Sequence, residues 1–346
     1  MHKYPSQVKV GVAGATGYAG QELMALLSRH PNVELVAGMS SSADSAARPL
    51  PRLARVWNGQ LEPLDIAKLA SSTDVTFLAL PEKAAAEVAL PLLAAGVRVI
   101  DLSGAFRIRD NADRARWYPA TAALPEGTAY GLVEHDAAAI ASARLVACPG
   151  CYPTAALLSL LPLAKAGLID VPAGIVIDAK SGISGAGRTA NDRTHFSENH
   201  GSVSAYGVLG HRHVAEMQQE IGAVTHASAE VLNESVTFVP HLVPLDRGIL
   251  ETIYVRTPRG VTAEQIADVM HASYANAPFV RLTGDALPEI KHVAYTNFCD
   301  IGWKFDASTR RLVLIAVIDN LVKGAAGQAI QNFNVIHDLD ERTALL

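Results

Sequence analysis

Residues Val8–Gly20 read "VKVGVAGATGYAG": an apolar, β-branched run that passes into Gly11, Gly14 and Gly17, with a further glycine at Gly20. The run predicts a strand. The stretch after it, "QELMALLSRH", has helical spacing and stops before Pro31. A glycine-rich turn between a strand and a helix lets the backbone approach a pyrophosphate, and the helix start offers N–H groups at the positive end of its dipole. A glycine triplet alone is often only a tight turn, so the surrounding pattern must carry the reading.

That pattern is strand–helix alternation. "VELVAGM", "DVTFLALP" and "VRVIDLS" follow as strands, with an alanine-rich helix from Glu82 to Ala95. "RLVA" (Arg144–Ala147) is a fifth strand. Continuous apolar strands separated by helices predict an α/β fold: a Rossmann-type, doubly wound parallel sheet covered on both faces. The acidic residue that usually ends the second strand and bonds a ribose is missing. "MSSSADSA" offers Ser40, Ser41 and Ser42, with no carboxylate before Asp44. Hydroxyls in place of negative charge suit a 2′-phosphate, which points to NADP; a serine loop without selectivity is the plain alternative.

After Cys151 the rhythm changes. "GIVIDAKSG" runs into the loop "SGISGAGR", and "SVTFVPHLVP", "ILETIYVRT" and the pair "DIGWKF"/"RLVLIAVI" read as longer, antiparallel strands of an α+β domain. Thr262 with Gln265 three residues on is a capping box. The division expected is 1–150 for dinucleotide binding and 151–319 for catalysis and oligomerisation. A C-terminal segment, 320–346, returns by a helix to the first domain.

Bulk composition narrows the class. The 346 residues are 18% charged and 49% hydrophobic, with net charge −5 and three cysteines. No apolar run is long enough to cross a bilayer, no basic block offers a nucleic-acid footprint, and "MHKYPSQVKV" has no signal-peptide core. Three cysteines build no disulfide framework. The expectation is a cytoplasmic protein with reduced thiols.

Two of those cysteines stand in "ACPGCYPTA". As C-x-x-C they suit a redox dithiol, but that motif opens a compact domain, whereas this one follows a complete dinucleotide-binding pattern. A zinc site lacks two further ligands, so no metal is expected. Cys299 reads as core. Cys151 begins a predicted helix, whose N-terminus favours thiolate and makes it the better nucleophile; Cys148, at a strand end, reads as a small buried residue. A cysteine nucleophile beside a nicotinamide suggests attack on an activated acyl group followed by hydride transfer. "GHRHVAEM" supplies candidate bases, His213 and, next to Gly210, His211, which would serve equally as a helix cap. Arg107, Arg188 and Arg212 are candidate oxyanion binders, each with the alternative of a solvated surface charge.

Taken in order, "GVAGATGYAGQEL", "ACPGCYPTA", "SGISGAG", "HRHVAEM", "FVPHLVPLDRGIL" and "NLVKGAAGQAIQN" resemble the N-acetyl-γ-glutamyl-phosphate reductases of the semialdehyde dehydrogenase family, from Val8 to about Asn334. The resemblance implies NADPH-dependent reduction of N-acetyl-γ-glutamyl phosphate to the semialdehyde in arginine biosynthesis, through a thioester on Cys151, with His211 and His213 in the active-site histidine motif. It implies cofactor contacts at Gly11, Gly14, Thr16, Gly17, Tyr18, Ser40, Ser41, Ser181, Gly182 and Asn320, and a homo-oligomer, dimer or tetramer. The sequence departs from the family pattern at Ala105, where an acidic residue precedes Arg107, and at Val133 and Ala215, where proline is usual. Related reductases acting on aspartyl or carrier-bound aminoadipyl phosphate, or a dinucleotide sensor without chemistry, are the alternatives.

Overall fold

The computed structural model describes residues 7–41, 47–121 and 123–346. Two units divide the chain, one of residues up to Pro149 with Ala325–Leu346, the other Gly150–Gly324.

In the first unit, seven strands make one sheet: β1 (Val8–Ala13), β2 (Val33–Met39), β3 (Leu61–Glu62), β4 (Val75–Leu78), β5 (Arg98–Asp101), β6 (Thr128–Tyr130) and β7 (Leu145–Ala147). Their order is β3-β2-β1-β4-β5-β7-β6, and every pairing is parallel. Adjacent residues on one strand feed opposite cores. Val99 and Leu78 pack with Leu69, Val88 and Leu92, while Ile100 and Phe77 pack with Leu23, Leu27 and Phe333. Burial on both faces explains why these strands are apolar throughout rather than alternating. The strand order reverses between β1 and β4, which sets the glycine turn after β1 at the topological switch point, where this fold class binds its ligands.

The C-terminal helix Gly327–Ile336 supplies Ala329, Ile330, Phe333 and Ile336 to the same core. Its polar residues are buried and bonded: Asn332 Nδ2 donates to Gly131 O at 2.9 Å, and Asn334 Oδ1 lies 2.8 Å from His30 Nε2.

The second unit is a mixed sheet of β8 (Ile175–Gly182), β9 (Ser204–Ala205), β10 (Val236–Val243), β11 (Ile249–Arg256), β12 (Val280–Gly284), β13 (Cys299–Asp306) and β14 (Arg311–Ile318), ordered β12-β13-β14-β11-β8-β10-β9. The expected antiparallel pairing holds for β13/β14, β14/β11 and β11/β8, but β8/β10 and β12/β13 are parallel. The long connection from β8 to β10, carrying the helix His213–Thr225, allows that crossover. Along β11, Ile249, Ile253 and Val255 are buried, while Tyr254 is 42% exposed on the other face. The helix Cys151–Lys165 packs on β11 and β14 and is buried almost all round, as its largely apolar sequence requires; its buried Thr154 and Ser159 hydroxyls donate to the carbonyls of Gly150 and Ala155. Pro162 inside it removes the N–H that would reach Leu158 O, and the Tyr274 hydroxyl donates to that carbonyl instead. The capping box at Thr262 and Gln265 starts the helix Ala263–Tyr274.

Candidate active site

In the first unit the glycines are not equivalent. Gly14 has φ +89°, and a Cβ there would fall 2.2 Å from Ala79 O; a Cβ on Gly20 would fall 2.2 Å from Gly14 O. Gly14 therefore makes the turn and Gly20 lets the helix pack on it. A Cβ on Gly11 would meet Leu69 and Thr73 side chains at 2.7 and 2.9 Å. Gly17 is sterically open and is the N-cap of the helix Tyr18–Leu27, with no side chain capping it and no acid in the first turn. Thr16 lies in this turn, where its carbonyl accepts from Gln21 Nε2 at 3.0 Å, and Tyr18 is 41% exposed. At the end of β2, Ser40 is buried and its N–H donates to Glu62 O at 2.8 Å; Ser41 is exposed, and Ser42 lies outside the described residues. Glu62, the neighbouring carboxylate on β3, is held by Lys68 at 2.5 Å.

The "DLSGAFR" segment follows β5. Burial pushes the Asp101 carboxyl up to about 6, against bonds from Ser103 N–H (3.0 Å) and Ser103 Oγ (2.7 Å). Arg107 is buried in this unit, and its Nη2 donates to Leu102 O at 2.7 Å. The Tyr118 ring leaves no room for a Cβ on Gly104, which would sit 2.2 Å from it. Cys148 is buried in the same unit; burial first, then the Asp101 charge, pushes its thiol up to about 12. A thiol held that far up is a poor partner in redox exchange.

Cys151 is the first residue of its helix in the second unit and is partly exposed. The N-cap, Gly150, has no side chain to cap the first turn, and its own N–H donates to Glu216 Oε2 at 2.9 Å. Glu216 is fully buried, and its Oε1 lies 3.9 Å from His213 Nε2. One carboxylate thus ties the start of the cysteine helix to the first residue of the helix His213–Thr225. The sequence reading passed over Glu216, although its i, i+3 relation to His213 places the two on one helix face.

His211 Nδ1 accepts from the His213 N–H at 3.2 Å, so this ring caps the helix start. Burial, reinforced by Arg212, pushes His211 down to about 4, and the ring is neutral at ordinary pH. The two histidine rings meet edge to face at 4.7 Å and pack with Tyr152 at 5.8 and 5.9 Å. Tyr152 and Tyr206 share a hydroxyl–hydroxyl hydrogen bond of 2.9 Å. Burial raises both phenols, so neither supplies a phenolate.

A cavity of about 390 Å³ opens on this cluster, with Cys151, His211, His213, Tyr206, Arg193 and Arg212 in its walls. Of the arginines singled out in the sequence, only Arg212 lines it. Arg107 belongs to the other unit, and Arg188 is exposed and outside the cavity wall. Arg193 and Tyr206 were missed because they sit in a region of weak periodicity. Ser181 lines the cavity too, buried, its Oγ donating to Gly182 O at 3.0 Å. A Cβ on Gly182 would strike Asp246 O at 2.7 Å. Asn320 braces this loop: its Nδ2 donates to Ser184 Oγ at 3.0 Å, and its Oδ1 accepts from Gly248 N–H at 2.8 Å. Behind Cys151 lies Gly324, whose Cβ, if it had one, would be 2.8 Å from Cys151 Cβ. Among the described residues no cluster of histidine, cysteine and acidic side chains is arranged to hold a metal, and no helix is long and apolar enough to cross a membrane.

Two family models match the chain: "Semialdehyde dehydrogenase, NAD binding domain" over residues 9–143, and "Semialdehyde dehydrogenase, dimerisation domain" over residues 151–320. Among similar relatives, the N-acetyl-gamma-glutamyl-phosphate reductase of Desulforudis audaxviator is 45% identical over 346 residues, covering 98% of each chain. That of Shouchella clausii is 43% identical over 347 residues, with the same coverage. Solved structures of the same fold include aspartate semialdehyde dehydrogenase II from Vibrio cholerae, at TM-score 0.71 and 19% identity, covering 96% of this chain and 99% of that one. Aspartate semialdehyde dehydrogenase with NADP from Candida albicans matches at TM-score 0.66 and 17% identity, with the same coverage.

Proposed function

The chain belongs to the N-acetyl-γ-glutamyl-phosphate reductases of the semialdehyde dehydrogenase family, and on that premise we propose that it reduces N-acetyl-γ-glutamyl phosphate with NADPH to N-acetylglutamate 5-semialdehyde, releasing phosphate, in arginine biosynthesis. The observation that carries this reading is a cavity holding a helix-start cysteine, two histidines and two arginines. An acyl phosphate needs a nucleophile that outcompetes water, and its two anionic ends need cations.

The residues of the first unit fit a dinucleotide. Gly14 and Gly20 let the turn pack tightly on strand and helix, Gly17 stands in open space beside the helix start, and that start is uncapped and without acidic side chains in its first turn. Ser40 and Ser41 stand where an NAD-selecting carboxylate would stand, which favours NADP. When bound, NADPH supplies the hydride that reduces the thioester carbon.

Cys151 attacks the γ-acyl carbon, and the carbon–oxygen bond to phosphate breaks as the thioester forms. Donors for the oxyanion come from the uncapped first turn of the cysteine helix, such as the Tyr152 N–H. His213 takes the thiol proton and returns it after reduction, as sulfur departs and the aldehyde forms. Glu216 steadies both partners, since it sits 3.9 Å from His213 and bonds the N–H of Gly150. Arg193 and Arg212 take the phosphate and the carboxylate.

The matched dimerisation domain and the exposed sheet-face residues Val176 and Tyr254 support a homo-oligomer, dimer or tetramer; the biosynthetic reaction proposed above fits a cytoplasmic location. The test is the reaction run backwards: phosphate-dependent reduction of NADP by N-acetylglutamate semialdehyde, with aspartate semialdehyde alongside. Equal or better turnover of the aspartyl substrate would overturn the assignment.

A further inference from the structure

β11 runs from Ile249, paired with Ser181 in the wall of the cysteine cavity, to Arg256, about 24 Å away at the usual rise per residue. At that far end is a second cavity, of about 470 Å³. Its walls come from "RTPRG" (256–260) and from the β13–β14 turn, and they include Arg256, Arg259, Arg310 and Arg311. We propose that this cavity is a second binding site, for a small multivalent oxyanion of phosphate or carboxylate chemistry. The proposal is independent of the reaction assigned to the cysteine cavity.

The arginines are arranged rather than scattered. Arg256 Nη1 donates to Thr309 O at 3.0 Å, and Arg310 Nη1 donates to Thr257 O at 3.1 Å. This reciprocal clamp fixes two guanidinium groups between the strand end and the turn. Arg259 and Arg311, both exposed, have no carboxylate partner among the described residues. Two acids stand near the cluster. Asp170 faces Arg310 itself at 3.6 Å, and Asp306, opposite Arg311 in the strand pair, accepts from the hydroxyls and N–H groups of Ser308 and Thr309. Four guanidinium groups against two carboxylates leave a local positive excess on a chain whose net charge is −5.

The turn itself favours this reading. Arg310 has φ +57°, at the position of such a hairpin where glycine is the default. That backbone conformation sets the direction in which the Arg310 side chain leaves the turn. Across the mouth, Gly260 at φ +88° leaves open space, with nothing within 4 Å of where a Cβ would be. Guanidinium forks bind phosphate and carboxylate in pairs of hydrogen bonds, and convergent forks select anions with more than one charge. Arginines merely solvated on a turn need no such clamp.

The experiment is calorimetric titration of the full chain with inorganic pyrophosphate and, separately, with citrate, which distinguishes phosphate from carboxylate chemistry. The variants are the pair Arg259→Ala/Arg311→Ala and the charge-conserving pair Arg259→Lys/Arg311→Lys. The expected result is saturable binding of one probe that weakens about tenfold or more in the alanine pair and clearly in the lysine pair, as loss of bidentate contacts requires. Turnover without added anion should be unchanged, because neither residue touches the cysteine cavity. Wild-type affinity in the alanine pair would overturn the proposal. So would full affinity in the lysine pair, which would reduce the site to a diffuse charge field, or failure of both probes to saturate.

Discussion

Gly324→Ala places a methyl group against the nucleophile. The new Cβ would lie 2.8 Å from Cys151 Cβ, 3.2 Å from Cys151 Cα and 3.3 Å from Ile318 Cδ1. Relaxed carbon contacts are about 3.5–4.0 Å, so one side must retreat by roughly 0.7 Å. Neither side yields easily. Cys151 heads a helix buried along its length, and the Gly324 N–H donates to Asp319 O at 2.9 Å. Asp319 is buried and accepts from Leu321 N–H, Val322 N–H and Tyr295 N–H. Overpacking of this kind costs about 1–3 kcal/mol of stability, and a reacting atom misplaced by about 1 Å loses on the order of 10²-fold in rate. The expected outcome is kcat down about 10- to 100-fold, a melting temperature lower by a few degrees and unchanged NADPH binding. Steady-state kinetics, thermal melts and the rate of Cys151 alkylation by iodoacetamide measure the three parts. A folded variant with kcat and alkylation rate within about twofold of wild type would refute the reasoning.

Cys151→Ser should abolish turnover and leave NADPH binding intact, while Cys148→Ser keeps most activity; equal losses in two folded variants would restore the dithiol reading. Glu216→Gln should lower kcat about 10- to 100-fold with KM little changed, because it weakens the hold on His213 without emptying the space; an unchanged pH–rate profile would count against it. His211, at about 4 when folded and near 6.5 when unfolded, binds its proton more readily in the unfolded chain, so its contribution to stability is present above pH 6.5 and lost as pH falls towards 4. The difference is at most about 3 kcal/mol, and His211→Asn should flatten the acid limb of stability measured by denaturant titration. NADPH should be preferred to NADH through tighter binding, and equal kcat/KM for the two cofactors would contradict the serine-loop argument.

Much of the fold is written in periodicity. Runs such as "DVTFLALP" are apolar on both faces because Phe77 and Leu78 serve different cores, and that signal survives without knowledge of partners. The parallel pairing of β8 with β10 is not written there, since alternation along a strand is the same whichever way its neighbour runs. In the candidate site, residues with a local rationale stood out: Cys151 at a helix start, His211 and His213 at a loop–helix junction. Those whose meaning is a distant contact did not. Glu216 matters through Gly150, 66 positions earlier, and Gly324 through Cys151. Among the glycines of the first turn, spacing treated Gly11, Gly14 and Gly17 alike; only the packing shows that Gly14 and Gly20 bear the close backbone approaches.

The first unit is made from two stretches of chain separated by the whole of the second. On the ribosome, Gly150–Gly324 emerges before the helix that carries Ile330 and Phe333, so for about 10–35 s of synthesis Val10, Phe77 and Ile100 lack the core partners that helix brings. The nascent chain therefore carries an exposed apolar groove while its second unit is being made. That window invites chaperone capture or premature association, and it makes the last twenty or so residues decisive for whether the first unit matures. Truncations just before Gly327 should accumulate as a protein whose second unit resists proteolysis while the first is digested.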